Sequence, residues 1–398
     1  VTTVKVEIGF SGAGVAETLV LDSATRGLLG EFRLGPFDTL VDLSDRVRSL
    51  SVNRGRSDLT EPVIVGSAQV VLDNRDGLLD PQNTGSVLFP GVQPRRTVNL
   101  YADGEQVFSG FVNTIDLDYT LDGDATVTVS AQDGLSRLGI ADFGLSGLTV
   151  SAEQSGDRVD AVIQSNSAFW DGGTDLDGGL SEMAAGTATG NVLSYLRQVE
   201  RSEAGLLFAA RDGDLVFRER NAVALGSAVL TLSDGGTAVA YSAIGRASGD
   251  DDLFNFIEAE VGGTAFSATD ADSVDDFGLR VLDLGTLLSS GEGQDRVDYE
   301  LARRREQLPS VRSVTVTQER AASSDVLGVE LGDRVTVVFA PPGVGSSSQD
   351  SRVIGVGHAF TVGAGWRTEI RLRSLEADPF FVLDDAALGR LGFDALAF

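Results

Sequence analysis

The sequence contains no cysteine in 398 residues. This excludes disulfide cross-links, thiolate metal sites and a cysteine nucleophile together. Stability must then come from packing and assembly. Lysine is nearly absent too, Lys5 being the single example, and 31 basic residues face 59 acidic ones for a formal charge of -28. So acidic a surface repels phosphate and argues against wrapping nucleic acid, although an acidic wall past which DNA slides remains allowed. A GC-rich genome and a high-salt habitat fit this bias equally well. No apolar run approaches the roughly 20 residues of a membrane helix. The opening VTTVKVEIGF has no basic stretch leading into an apolar one, so no membrane segment or secretion signal is expected, and a soluble protein made in a cytoplasm is.

Histidine is equally scarce. His358 is the only one, so zinc sites built on two or three His or Cys ligands cannot form. A Ser-His-Asp triad would have to use it, yet no G-x-S-x-G elbow exists; Gly144-Leu145-Ser146-Gly147-Leu148 lacks the last glycine. A structural, hydrogen-bonded His358 is expected, on one strand face with Val356 and Phe360. Gly9, Gly12 and Gly14 fit no phosphate-loop spacing. Acid groups at Asp171, Asp175, Asp177 with Gly178, and at Asp73, Asp76 and Asp80, invite a calcium reading but miss EF-hand spacing. Turn chemistry is the favoured reading of both. With 59 acids, no carboxylate pair can be singled out for glycoside cleavage. Phe208, Phe217, Phe339, Phe360 and Trp366 read as core rather than as a sugar platform. No catalytic residue, metal or cofactor is expected.

What is abundant is glycine, 48 residues against 9 prolines, with many Asp-Gly steps. This is the punctuation of short strands and tight turns. Strands are expected at Gly66–Leu72, Arg96–Tyr101 and Gln106–Val112, with a hairpin at Asp103-Gly104 that sets Leu100 opposite Val107. A three-residue loop, Asp122 to Asp124, would pair Tyr119 with Val127 and Leu117 with Val129. The pattern returns at Arg334–Phe339, Val353–Val362 and Trp366–Leu372. Laying Gly110 on Gly355 sets Ile115 on Phe360 and Leu117 on Val362, as in an internal repeat, though unrelated meanders align as well.

Between these stretches the period lengthens. Val159, Val162 and Ile163 suggest one helix, and Val192, Leu193, Leu196 and Val199 a clearer one. A hairpin at Asp212-Gly213 would set Phe208 beside Phe217. A charged helix is expected over Gln294–Gln307, with Val297 and Leu301 four apart. Asp250-Asp251-Asp252 reads as a solvated junction, and Trp170–Gly190 and Gly343–Asp350 as mobile or partner-ordered loops.

One stretch carries a resemblance. Ser51 to Pro90 joins Arg54-Gly55-Arg56, the Gly66–Leu72 strand, the turn Asp73-Asn74-Arg75-Asp76-Gly77 and Asp80-Pro81-Gln82-Asn83 in an order that resembles the tail-tip hub, or minor tail, proteins of long-tailed bacterial viruses. Asn191–Arg220, Ser273–Gly278 and Phe381–Phe398 resemble further segments of that family, the last as in actinobacterial viruses. The resemblance implies a mainly β protein with an α+β insert, in which two similar small β-barrels flank a middle module, baseplate-hub-like. The division is 1–149 for the N-terminal β region and first barrel, 150–245 for the middle module, 246–375 for the second barrel with its helix, and 376–398 for a tail segment. It also implies a structural virion protein: a homotrimeric hub at the tail tip, assembled in the host cytoplasm. Such a hub closes the channel and meets the distal tail ring protein, the tape measure protein and fibre or receptor-binding proteins, while DNA passes without specific binding. Arg54, Gly55, Arg56, Asp73, Asn74, Gly77, Asp80 and Pro81 are the family-like structural motif. The alternatives are the distal tail ring protein itself, or a secreted acidic carbohydrate-binding or glycan-cleaving β protein.

Overall fold

The computed structural model describes residues 2–10, 39–56, 62–170, 172–222, 227–235, 238–249, 252–284, 287–289, 291–306, 310–317, 323–340, 343 and 345–375. Asp171, Gly12, Gly14, Asp250, Asp251, Gln307 and the segments 376–398 and 341–342 lie outside them, and with them parts of the expectations above.

The chain opens with β1 (Val4–Phe10), β2 (Thr39–Asp42), β3 (Val47–Gly55), β4 (Ile64–Asp73), β5 (Thr97–Ala102), β6 (Glu105–Tyr119) and β7 (Ala125–Gln132). A mixed region follows: α1 (Leu135–Leu138), β8 (Leu148–Val150), β9 (Glu153–Gln154), α2 (Ser155–Ser165), β10 (Thr174–Leu176), β11 (Glu182–Met183), β12 (Gly186–Ala188), α3 (Val192–Glu203), β13 (Leu206–Ala209) and β14 (Leu215–Arg218). Next come β15 (Leu230–Ser233), β16 (Val239–Ala240), β17 (Ala243–Ala247), β18 (Phe256–Val261), β19 (Thr264–Thr269), α4 (Ala271–Phe277), β20 (Val281–Asp283) and α5 (Gly293–Arg304). The described chain closes with β21 (Ser310–Thr317), α6 (Ser324–Leu327), β22 (Arg334–Phe339), β23 (Ser347–Thr361) and β24 (Gly365–Ser374). The fold is mainly β. Among the described residues no helix is long and apolar enough to cross a membrane.

One strand order occurs twice. The first set pairs as β3-β4-β7-β6-β5-β1, and the second as β17-β21-β24-β23-β22-β15. The match extends to irregularities. The β6–β7 ladder skips one residue, Asn113, and the β23–β24 ladder skips one, Ile354. Setting one bulge on the other lays Gly110 on Ser351 rather than Gly355, and Ile115 on Val356. The repeat is therefore present in the pairing, but in a register that the sequence alignment missed, because loops of unequal length precede the long strands. β5 and β22 share the same alternation of half-buried and buried residues. The sets differ at one edge: β1 runs antiparallel to β5, and β15 parallel to β22. Among the described residues the ladders close neither set into a cylinder.

Among the described residues two apolar cores result. The first takes inward residues of both strand sets, including Val98, Leu100, Val127, Val335, Val356 and Ile370. The second gathers α2, α3 and α5 through Val159, Val162, Leu196, Val199 and Val297. The β13–β14 hairpin lies between them, with Phe208 in the first core and Phe217 in the second. The expected Phe208–Phe217 pair is thus corrected: Phe208 stands opposite Val216, and Phe217 opposite Leu207. Ala210 and Asp214 bond to each other across a three-residue tip, and that longer tip shifts the register by one, onto opposite faces.

Local chemistry explains the elements. Helix α3 begins where the Asn191 side chain accepts the Ser194 N–H at 2.9 Å, and ends at Ala204 in the left-handed region with φ 57°. At Asp103-Gly104 both residues have positive φ, as a two-residue hairpin requires. A bulge nevertheless sets Leu100 opposite Phe108, not Val107, and both are buried. The β6–β7 tip is Leu121 to Gly123, so Tyr119 meets Ala125 and Leu117 meets Val127. That is one residue earlier than expected, because the Thr120 hydroxyl accepts the Asp124 N–H. The described part of Trp170–Gly190 is not a loose loop: it supplies β10 to β12 and buries Trp170, Met183 and Ala188.

Candidate functional site

The two strand sets meet at one ladder, β3 against β23, running from Ser49 opposite Thr361 to Gly55 opposite Gly355. The Arg54-Gly55-Arg56 step forms the end of this ladder. Gly55 has φ 103°, and a Cβ there would overlap the Ile354 carbonyl, so only glycine lets the backbones approach this closely. The Arg56 N–H donates to that same carbonyl at 2.8 Å, and Arg371 Nη2 donates to the Arg54 carbonyl at 2.8 Å.

Arg54 is 2% exposed and donates from Nη1 to Glu330 Oε1 at 2.6 Å. Glu330 also accepts the backbone N–H groups of Arg211 at 3.0 Å and Leu331 at 2.9 Å. One carboxylate thereby ties β3 to the β13–β14 tip and to the turn before β22. Beside it, Asp133 accepts the Gly66 N–H at 2.6 Å and the Leu135 N–H at 3.0 Å. Burial pushes the Asp133 carboxyl up to about 7 against the pull of those N–H groups and of Arg54 and Arg197. His358, on the other side, sits with Nδ1 3.0 Å from Thr368 Oγ1, which also accepts Trp366 Nε1–H at 3.1 Å. The expected hydrogen-bonded, packed His358 is present, and burial, then Arg54 and Arg211, lowers it to about 3, which keeps the imidazole neutral.

The remaining motif residues lie at the opposite end of the β3–β4 ladder, so the motif forms two places. Asp73 meets Arg48 and Arg75, and Asp76 holds Arg46 at 2.6 and 2.8 Å. Asn74 is buried and accepts the Leu79 N–H at 2.9 Å. Gly77 has φ 67°, and its carbonyl accepts from Asn83 at 2.9 Å. Asp80 caps the Gln82 N–H at 2.8 Å and accepts Tyr119 Oη–H at 2.7 Å, with Pro81 between them in the turn. The side-chain hydrogen bond of Arg75 leads several contacts that hold Asp73 well below the usual carboxylate range. Asp175 and Asp177 both meet Arg218. Arginines, a tyrosine hydroxyl and backbone N–H groups thus take Asp73, Asp76, Asp80, Asp175 and Asp177; Asp171 lies outside the described residues. Among the described residues no group of three or more His, Asp or Glu is placed to hold a metal. Sequence reasoning missed Glu330, Asp133 and Arg371, which come from distant segments with no shared pattern.

No family model matches the sequence, and no curated protein matches it. Solved structures do. The 43 kDa tail protein of prophage MuSo2 from Shewanella oneidensis superposes with a TM-score of 0.60 at 14% identity, covering 95% of this chain and 99% of its own. A tail protein from Neisseria meningitidis MC58 gives 0.61 at 14% identity, with 94% and 97% covered. The prophage tail protein gp18 of Listeria monocytogenes EGD-e gives 0.50 at 12% identity, with 84% and 91% covered.

The chain has the fold of phage tail proteins. These likenesses run over nearly the whole length of the chain and of the first two neighbours. The narrower resemblance to actinobacterial viruses rests on Phe381–Phe398, outside the described residues, and these neighbours do not show it.

Proposed function

We propose that the protein is a structural component of a viral tail, the homotrimeric hub that closes the channel at the tail tip. The observation that carries this reading is the doubled strand order with matching bulges. We read the two sets as two barrels of one chain flanking a middle module; that module then ends before Leu230 rather than at 245, because β15 and β17 pair into the second set. Three such chains present six similar units, so a threefold tip meets a sixfold ring with every contact matched.

The doubled order also supports a specific interface. β3 carries two ladders, to β4 and to β23, whereas its counterpart β17 carries one, to β21, among the described residues. Likewise the Asn113–Tyr119 half of β6 has a ladder only to β7 there, where the equivalent half of β23 also holds β3. Superposing the repeats carries the β3–β23 ladder onto β17 of one chain against β6 of the next. Tyr119, 58% exposed, then falls opposite Ile244, and Asp118 opposite Gly245, beside Arg246. Strand addition of this kind satisfies edge N–H and C=O groups that otherwise invite indiscriminate pairing.

In this reading the hub contacts the distal tail ring protein and the tape measure protein above and fibre or receptor-binding proteins below. An acidic channel lets DNA pass without sticking. Light scattering should give the mass of three chains. In this cysteine-free protein, Tyr119→Cys with Ile244→Cys should yield covalent trimers on oxidation, and neither single variant should. A sixfold ring would replace the hub by the distal ring protein. A monomer that stays uncross-linked, with or without its tail partners, would overturn the proposal.

A further inference from the structure

In a chain of net charge -28, the cavity between α3, α5 and the β3–β23 junction is lined chiefly by arginine. Its volume is about 210 Å³. Helix α3 contributes Arg197, Glu200 and Arg201, and helix α5 contributes Arg296, Glu300, Arg303 and Arg304. The junction adds Arg56 and Arg352. With Asp283, three carboxylates face seven guanidinium groups among the described lining residues.

The carboxylates are already engaged. Glu200 holds Arg197 at 2.6 Å and accepts the Leu207 N–H at 3.1 Å. Glu300, 2% exposed, accepts from Arg296 at 2.8 Å and from Arg304 Nε at 2.5 Å, with Arg303 at 3.6 Å. Burial opposes its ionisation, yet Arg304, Arg296 and Arg303 outweigh burial and hold it well below the usual carboxylate range. Arg304 is 7% exposed, and its Nη1 is buried without a hydrogen-bond partner among the described residues. Burial lowers Arg56 to about 10; Glu200 opposes that, while Arg352, Arg304 and Arg303 add to it. A buried guanidinium N–H without an acceptor is costly unless an anion supplies one, and Arg304 Nη1 is such a group on the wall of this cavity.

We propose that this cavity binds a small polyvalent oxyanion of the phosphate or sulfate type, held by guanidinium groups of both helices and of the junction. Planar guanidinium forks match tetrahedral oxyanions with paired N–H groups, which a lysine site does not. The bound ion would tie the α3–α5 region to the ladder that joins the two strand sets. This site stands whether or not the chain forms a trimer.

The test is calorimetric titration of the full chain with inorganic phosphate and with sulfate, against chloride at equal ionic strength, alongside thermal unfolding. One saturable site per chain is expected, with an unfolding midpoint that rises for phosphate and sulfate but not for chloride. Arg201→Gln, at the exposed rim, should fold normally and bind phosphate about tenfold more weakly, as loss of one charge-assisted contact predicts. Arg304→Met should weaken it at least as much. Equal effects of chloride and phosphate would reduce the response to screening and overturn the site. Unchanged binding in both variants would do the same, and competition by a short single-stranded DNA would overturn the free-ion assignment.

Discussion

Buried Arg54 and half-buried Glu330 form an ion pair, 2.6 Å between Nη1 and Oε1, across 276 positions of sequence. Removing only the acid strands a guanidinium that is 2% exposed. Glu330→Gln should therefore destabilise by about 3–5 kcal/mol, and Arg54→Met with Glu330→Gln by less than Glu330→Gln alone. Denaturant unfolding of the single and double variants checks this. Additive losses would mean that the two groups do not depend on each other.

Gly55→Ala and Gly355→Ala form a contrasting pair. The first forces a side chain into positive φ against the fixed Ile354 carbonyl, whereas the second meets the Arg371 guanidinium, a side chain that can shift at the expense of its bond to the Arg54 carbonyl. The first should cost at least about 2 kcal/mol, and should speed amide exchange along Val52–Gly55. The second should cost clearly less. Equal losses in unfolding midpoint would show that the ladder has slack at Gly55.

Two buried groups should tilt the pH profile in opposite directions. His358 is lowered from 6.5 to about 3, so its stability contribution is complete above pH 6.5 and is lost as pH falls towards 3. Asp133 is raised from 3.8 to about 7, so stability is lost as pH rises through that interval. Relative to the parent, His358→Gln should make stability fall more steeply from pH 4 to 7, and Asp133→Asn should make it rise. Each slope is bounded by about 1.4 kcal/mol per pH unit. Chemical denaturation at four pH values reads both signs, and slopes of the same sign in the two variants would contradict the assignment.

In the turn after β4, burial separates two similar residues. Asn74→Ala deletes the acceptor of the Leu79 N–H inside a buried turn and should cost about 1–3 kcal/mol. Asp80→Ala loses partly solvated contacts to Gln82 and Tyr119 and should cost less than about 1 kcal/mol. Thermal unfolding of the two variants ranks them, and the reverse order would refute the division.

The sequence by itself determined the elements. The alternation at Arg334–Phe339 and the Val192, Leu196, Val199 spacing became β22 and α3, because a strand face and a helix face are fixed by nearest neighbours. Asp103-Gly104 became a hairpin for the same local reason. Registers escaped it: Val107, Asn113 and Ile354 are bulged residues whose displacement depends on the opposing strand. Only the tertiary structure decided that Arg54-Gly55-Arg56 joins the two strand sets while Asp73 to Pro81 closes the far end. Likewise, Glu330, Asp133 and the arginines of α3 and α5 converge through packing between segments far apart in the chain, which no local pattern encodes.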